Sequence, residues 1–522
     1  MRKKIVAAVL MAAMTVSLLA GCGDNQSSDS TETDSTQTES STDTASSTDT
    51  GDITSDLKDG EMTELLMLWP GGNASPADMQ EVQDAFNEEI QKYVDAEVTF
   101  QIIEWGSFED QVNLMLSGGE KLDLLLSATN IRERGKRGQL YDISDIAETY
   151  APDAYAAMED YVKVCYFDGE LYGFPSFRDM AEQAGLMCRT DILEETGYTA
   201  EDIKTMDDVD ALLAKVKELY PDMYALVPSA SGGCLLYYTR GMFDIVTSGV
   251  GVRVTDESSD TVEIINTYAS DEYMEMAERA YDWNQKGYFL PDATTNTITR
   301  QDLLKAGNTF GYIGTYHPGI VTQEVINSGR EITAIPFEET CIDTDGVNCA
   351  QWLIPAQCEN PAKALAVLNQ LYSNPVVQNL FRYGIEGKDY ELKDAENGIA
   401  GFPDGVDSSN AGWTNEMWLS GNASVGYAWE TDPEDVFTKY AEFNDSARRS
   451  PLYGFVYDSS NVRNEITSIS NVESKYKAII ENGDADPETT VAAFNEELKT
   501  AGIDTIIEDM QAQVDEWLAT QK

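Results

Sequence analysis

The chain has 522 residues, of which 92 are Asp or Glu, 35 are Lys or Arg and one is His, for a formal net charge of −57. Such an excess of acid disfavours nucleic-acid binding, which draws on positive charge to release counterions, and a single histidine excludes the H-E-x-x-H and other multi-histidine metal sites. Normal apolar content over the 462 residues from 61 onward suggests two or three domains or one large bilobed body.

At the N-terminus, Arg2, Lys3 and Lys4 precede an apolar stretch, 5–20, too short to span a bilayer comfortably. Leu19-Ala20-Gly21-Cys22 resembles the lipobox of bacterial lipoprotein signal peptides. That resemblance implies removal of residues 1–21 and a diacylglycerol on the Cys22 thiol, with the mature chain held to a membrane by buried acyl methylenes at about 0.8 kcal/mol each. From Ser27 to Thr50, 16 of 24 residues are Ser or Thr and six are acidic. This composition cannot bury enough surface to offset its ordering entropy, so residues 22–60 read as a disordered tether. No other stretch is apolar for long enough to cross a membrane.

"ELLMLWPGGN" is an apolar run closed by Pro70-Gly71-Gly72, after which Ser75-Pro76 opens a helix with Met79, Val82, Phe86, Ile90 and Val94 on one face. "EVTFQIIEW" returns as a strand with Val98, Phe100 and Ile102 on one side. Ser107 and Asp110 have capping-box spacing ahead of a helix over "FEDQVNLMLSGG", and "KLDLLLSATN" is a further buried strand. Alternating strands and helices predict parallel β-α-β units with ligand sites at the carboxyl ends of the strands. Those ends are Trp69 to Asn73, Glu104-Trp105 and Ser127 to Asn130.

Cys165, Cys188, Cys234, Cys341, Cys349 and Cys358 are sparse and form no C-x-x-C, so most read as small buried hydrophobes, with Cys341 and Cys349 the one close pair. "CIDTDGVN" has Cys341 where a calcium loop needs its first ligand, and reads as a hairpin turn. No G-x-x-x-x-G-K-[ST] and no G-x-S-x-G occurs. The cluster Arg132, Arg134, Lys136 and Arg137 reads first as a solvated helix face.

The order of segments resembles the extracellular solute-binding proteins of carbohydrate-type ATP-binding-cassette importers, in the LplA-like subgroup. The resemblance is carried by "GQLYDISDI" at 138–146, "GELYGFPSF" at 169–177, "CRTDILEETGY", "GYFLPD" and "TFGYIGTYHPG", and near the end by "NPVVQNLFRYGIEGKDYEL", "SPLYGFVYDSSNVRNEI" and "FNEELKTAGIDTIIEDMQAQVDEWL". It departs at Thr315-Tyr316-His317, where many relatives carry Trp. The resemblance implies an α/β, two-lobed, periplasmic-binding-protein-like fold with hinge and cleft and extra C-terminal helices. Lobe 1 is expected from 61–175 and about 316–375, and lobe 2 from 176–315 and about 376–522. It further implies a lipid-anchored monomer on the outer face of the cytoplasmic membrane, no cofactor or metal, and delivery of a carbohydrate to an importer's permease.

Pyranose rings present flat C–H faces and hydroxyls, which suit aromatic platforms rimmed by carboxylates, amides and Arg. The candidate ligand residues are Trp69, Asn73, Glu104, Trp105, Asn130, Arg178, Asp179, Tyr237, Arg240, Tyr316, His317 and Trp413. Trp418 is a further aromatic candidate, whereas Trp283 and Trp352 read as core. Other readings stay open: a peptide or another polar solute as cargo, a surface glycoside hydrolase with two carboxylates among the 92 acids, or a sensor or adhesin.

Overall fold

The computed structural model describes residues 53–520 except 128–130, 229–231, 240, 255–261, 338–339, 344–345, 348–349, 408–409 and 434. Cys22, the tether up to Asp52, Asn130 and Arg240 lie outside the described residues, as does Cys349, whereas residues 53–60, expected in the disordered tether, are ordered: Ile53–Leu57 is helical, and Lys58 and the Gly60 amide bond to the Asp95 carboxylate.

The first sheet grows from the predicted grammar. In the Thr63–Gly71 strand, Leu65, Met67 and Trp69 alternate onto one buried face, and the strand pairs in parallel with Ala96–Glu104 and Leu124–Ser127. The helix Met79–Ile90 covers that face with Val82, Phe86 and Ile90. Its N-cap is Asp78 without a side-chain bond, where Ser75 was expected. Ser107 likewise makes no capping bond to the Phe108–Gly118 helix; its hydroxyl donates to the Glu104 carbonyl at 3.4 Å and accepts from Gln111 at 2.8 Å. Two later strands, Gln351–Leu353 and Gly173–Pro175, extend the sheet antiparallel. Gly173 is required there, because a Cβ would stand 2.0 Å from the Trp352 carbonyl oxygen.

The second sheet runs in the order Ile332–Pro336, Gln183–Arg189, Thr309–Tyr316, Tyr224–Leu226, antiparallel except for its last pair. Each sheet has its own buried core. The three C-terminal helices, Arg463–Glu481, Pro487–Ala501 and Ile503–Thr520, bury Ile469, Phe494, Ile506 and Met510 in the second.

The chain passes between the cores at other points than expected. Residues 320–336 belong with the second sheet, because Ile332–Pro336 pairs along Gln183–Arg189. Residues 375–383 belong with the first core, where Phe381 packs 5.0 Å from Trp69 and 6.1 Å from Trp352. Leu419 joins them.

Three crossing segments meet between the cores. Glu182 and Cys341 exchange backbone bonds of 2.7 and 2.9 Å, and Cys341–Ile342 pairs in parallel with Arg448–Arg449. Asn444, 1% exposed, holds the first crossing: its Oδ1 accepts from the Met180 and Ala181 amides at 2.8 and 3.0 Å, and its Nδ2 donates to the Arg178 carbonyl at 2.7 Å. Cys165, Cys188, Cys234, Cys341 and Cys358 are buried thiols, and burial pushes the Cys358 thiol up to about 12.

Candidate functional site

A cavity of about 880 Å³ opens where the crossing segment 178–179, the end of the Thr309–Tyr316 strand and the 382–440 region converge. That volume lies within the range of small-molecule sites. Arg178 and Asp179 come from the first crossing, His317 from the strand end, Arg382 and Tyr383 from the Pro375–Tyr383 helix, and Trp418 and Trp429 from the loops beyond.

Local structure fixes each of these groups. The Arg178 guanidinium donates to its neighbour's carbonyl, Asp179 O, at 2.6 Å and to the Gly346 carbonyl. The carboxylate of Asp179 stands 3.0 Å from His317 Nδ1, which is also 3.0 Å from the Pro318 carbonyl. Gly319, at φ +85°, turns the chain into the Ile320–Ser328 helix, whose first turn lines the cavity with Thr322 and Gln323.

On the opposite wall Arg382 is 2% exposed and donates to the Ala423 and Tyr427 carbonyls at 3.2 and 3.1 Å, with its guanidinium 4.5 Å from the Tyr383 ring centroid. Its Nε has no hydrogen-bond partner among the described residues. Burial pushes the Tyr383 hydroxyl up to about 12, against the opposing pull of Arg382. Burial also raises Asp432 above the usual carboxylate range, although the Trp429 amide, Arg382 and His317 act the other way. Positive and negative groups are thus mixed on one concave surface. Such a lining suits a neutral ligand with many donors and acceptors.

Aromatic faces complete it. Trp105, 39% exposed, stacks on Trp418 at 5.4 Å and 18°, so a residue at the first sheet's carboxyl edge backs a ring of the cavity wall. Trp429 lies 5.0 Å from Tyr383 at 33°.

Among the sequence candidates, the cavity brings together Arg178, Asp179 and His317, with Trp105 behind Trp418. Tyr316 lines an adjoining hollow that shares His317, Gly319 and Thr322 with the main one. Tyr237 lines a separate, smaller cavity. Asn73 is exposed and accepts from the Ser75 amide at 3.0 Å, and Glu104 is exposed at its strand end. Two placements correct the sequence reading. Trp69 is fully buried against Phe100 and Phe381, because its strand continues to Gly71 and keeps it in phase with Leu65 and Met67. Trp413, 1% exposed, is also core: its indole donates to the Phe381 carbonyl at 3.0 Å and its ring lies 5.9 Å from Phe100.

Trp283 and Trp352 are core, as read. The basic cluster is not a free solvated face: Arg134, almost wholly buried, pairs with Glu109 at 2.8 Å, and Lys136 pairs with Asp458. Sequence reasoning missed Arg382, Tyr383, Trp429 and Asp432. The aromatic and charged spacing of "FRYGIEGKDY" and "GYAWETD" was the available signal.

Residues 73–378 match the model of the bacterial extracellular solute-binding protein family, and residues 451–519 match a domain family of unknown function. A "Carbohydrate ABC transporter substrate-binding protein" of Streptococcus pneumoniae is 24% identical over 452 residues, 86% of this chain and 90% of that protein. The fold is similar to that of the N-glycan transport solute binding protein NgtS from S. pneumoniae, with a TM-score of 0.78 at 22% identity, covering 88% of this chain and 100% of that one. For the same protein in complex with Man5GlcNAc the TM-score is 0.65 at 21% identity, covering 88% and 99%.

Proposed function

The chain belongs to the bacterial extracellular solute-binding protein family, and on that footing we propose that it captures an oligosaccharide in the cavity around Arg178, Asp179 and His317 and passes it to an ABC permease. The observation that carries this reading is the pairing of the Trp105–Trp418 stack with a polar rim of both charge signs in one cavity of about 880 Å³. An indole face covers the apolar side of a pyranose, while Arg, Asp and His side chains replace the water bonded to its hydroxyls. The carbohydrate named for the S. pneumoniae relative agrees with that chemistry. The same reading has residues 1–21 removed, Cys22 lipidated and the Ser/Thr-rich tether spacing the binding body from the outer face of the membrane.

Calorimetric titration of the mature chain with Man5GlcNAc, shorter mannose–GlcNAc sugars and control peptides tests the proposal. Saturable binding of a sugar is expected, and Trp418→Ala is expected to weaken it by about 1–2 kcal/mol, roughly tenfold. Binding of peptides alone would overturn the carbohydrate assignment.

A further inference from the structure

Beside the larger cavity lies a hollow of about 480 Å³, between the turn from Tyr316 to Gly319 and the Val436–Ser446 helix. The sequence of that helix explains its wall. Val436, Tyr440 and Asn444 recur every fourth residue and are buried, and Asn444 is the side chain that holds the first crossing. Lys439, Glu442, Phe443 and Ser446 share the helical spacing of a second face, and all four line the hollow. Burial of the first face fixes the helix, so the second is held in one place.

An aromatic ring among charged and hydroxyl groups gives this second face its character. Phe443 and Tyr316 are half-buried, with ring centroids 6.1 Å apart and planes at 69°. Edge-to-face pairing sets the two rings at an angle, so they make a corner of flat apolar surface. Around it stand the Lys439 ammonium, which pairs with Asp435 at 2.7 Å, the exposed Glu442 carboxylate and the exposed Ser446 hydroxyl. One cation and one acid on the helix face favour neither an anion nor a cation. A wholly apolar occupant would cover both charged groups without bonding them. A neutral ring with C–H faces and hydroxyl edges meets the corner and the rim together.

The hollow and the larger cavity adjoin along a shared lip. His317, Gly319 and Thr322 line both. The same chain segments serve both sides: Asp432 and Tyr440 line the larger cavity, while their neighbours Pro433 and Lys439 line the hollow. At the lip a Cβ on Gly319 would stand 3.5 Å from the Tyr440 hydroxyl, and the Thr322 hydroxyl donates to the Thr431 carbonyl. Turn, loop and helix are thus tied to one another where the two spaces meet.

We propose that the Phe443 face of the Val436–Ser446 helix is a determinant of glycan length, holding the outer rings of an oligosaccharide whose inner rings occupy the larger cavity. This deepens the carbohydrate reading and rests on it. The experiment is calorimetric titration of the full chain and two variants, Phe443→Leu and Glu442→Ala, with Man5GlcNAc and with Man1GlcNAc. Phe443→Leu keeps apolar bulk and removes the flat face, and Glu442→Ala changes an exposed position that the fold does not depend on. The wild type is expected to bind Man5GlcNAc more tightly than Man1GlcNAc. Affinity for Man5GlcNAc is expected to fall roughly five- to tenfold in Phe443→Leu and about threefold in Glu442→Ala. Man1GlcNAc, held by the larger cavity, is expected to keep its affinity in both. A purely structural role for Phe443 would weaken the two sugars equally, and that result would overturn the proposal, as would unchanged affinity for Man5GlcNAc in both variants. Glu442→Ala decides alone if Phe443→Leu fails to fold. Equal binding of the two sugars by the wild type would also overturn the extension while leaving the main site intact. Failure of the wild type to bind either sugar would instead overturn the carbohydrate reading from which the proposal starts.

Discussion

Two buried residues show how single side chains govern this molecule. Asn444 satisfies three backbone groups of the first crossing segment, two amides and one carbonyl, in a place where Met180 and Ala181 are 1% and 2% exposed. Asn444→Leu keeps a similar bulk and leaves all three unpaired. A loss of about 2–4 kcal/mol is expected, read as a lower denaturation midpoint, and an unchanged midpoint would show that water replaces the amide. Glu481 acts through its proton. Burial raises its carboxyl to about 7, with Glu473 adding to the effect and Lys477 and the Gly233 amide opposing it. Between pH 4.5 and 7 the unfolded chain has released this proton and the folded chain still holds it, so the folded state binds more protons and its stability falls as pH rises. Glu481→Gln removes that dependence. The stability difference between wild type and variant should therefore shift by on the order of 3 kcal/mol from pH 4.5 to pH 7, against the wild type at the higher pH, and parallel pH profiles would refute the assignment.

At the scale of elements, the strand and helix grammar of residues 63–127 was legible because periodicity and burial coincide there. The inward face Val82, Phe86 and Ile90 and the alternation of Val98, Phe100 and Ile102 fell where the pattern put them, although the helix itself starts later than Ser75 and ends before Val94. Trp69 and Trp105 show where reading by punctuation alone failed. Both precede a Gly or Pro-Gly break, yet Trp69 shares the odd-numbered face with Leu65 and Met67, whereas Trp105 stands one residue past Glu104, off the inward set of its strand. Side-chain parity along the strand, which the sequence carries, separates the two. Trp413 had no such local signal, since its burial comes from Phe100 and Phe381, distant in the chain. The same holds for the cavity wall made by residues 382–432, which depends on short turns and two- or three-residue strands such as Ile399–Gly401 and Ala428–Trp429 with no long periodic run to read. The crossing points were misplaced for a related reason: Ile332–Pro336 and Gln351–Leu353 are both short apolar strands, and only pairing shows that they belong to different sheets.

For the whole molecule, the arrangement of two cores about three hydrogen-bonded crossings favours rotation over sliding, since the backbone bonds joining Glu182, Cys341 and Arg448 lie between the cores while each sheet stays internally paired. Groups on both sides face the larger cavity: Trp418 beside the first core and His317 at the end of a second-sheet strand, with Arg178 and Asp179 on the crossing itself. A ligand that touches all of them binds most tightly to the arrangement in which they converge, and it shifts the population only by that differential affinity. One side-chain tie already spans the cores, from Lys136 on the Ile131–Lys136 helix to Asp458 ahead of the C-terminal helices. Asp458 is held down at about 2, with Lys136 and Ser460 overcoming the opposing effect of burial. Because Lys136 is 43% exposed, the pair is screened and contributes under about 1 kcal/mol to stability. Lys136→Ala should accordingly leave the unfolding midpoint nearly unchanged and act on lobe geometry instead. Small-angle scattering of the protein is the measurement: saturating glycan is expected to reduce the radius of gyration of the wild type, and Lys136→Ala to enlarge it in the unliganded state. An identical radius with and without bound glycan would mean that the cavity is preformed and that the crossings act as a fixed strut.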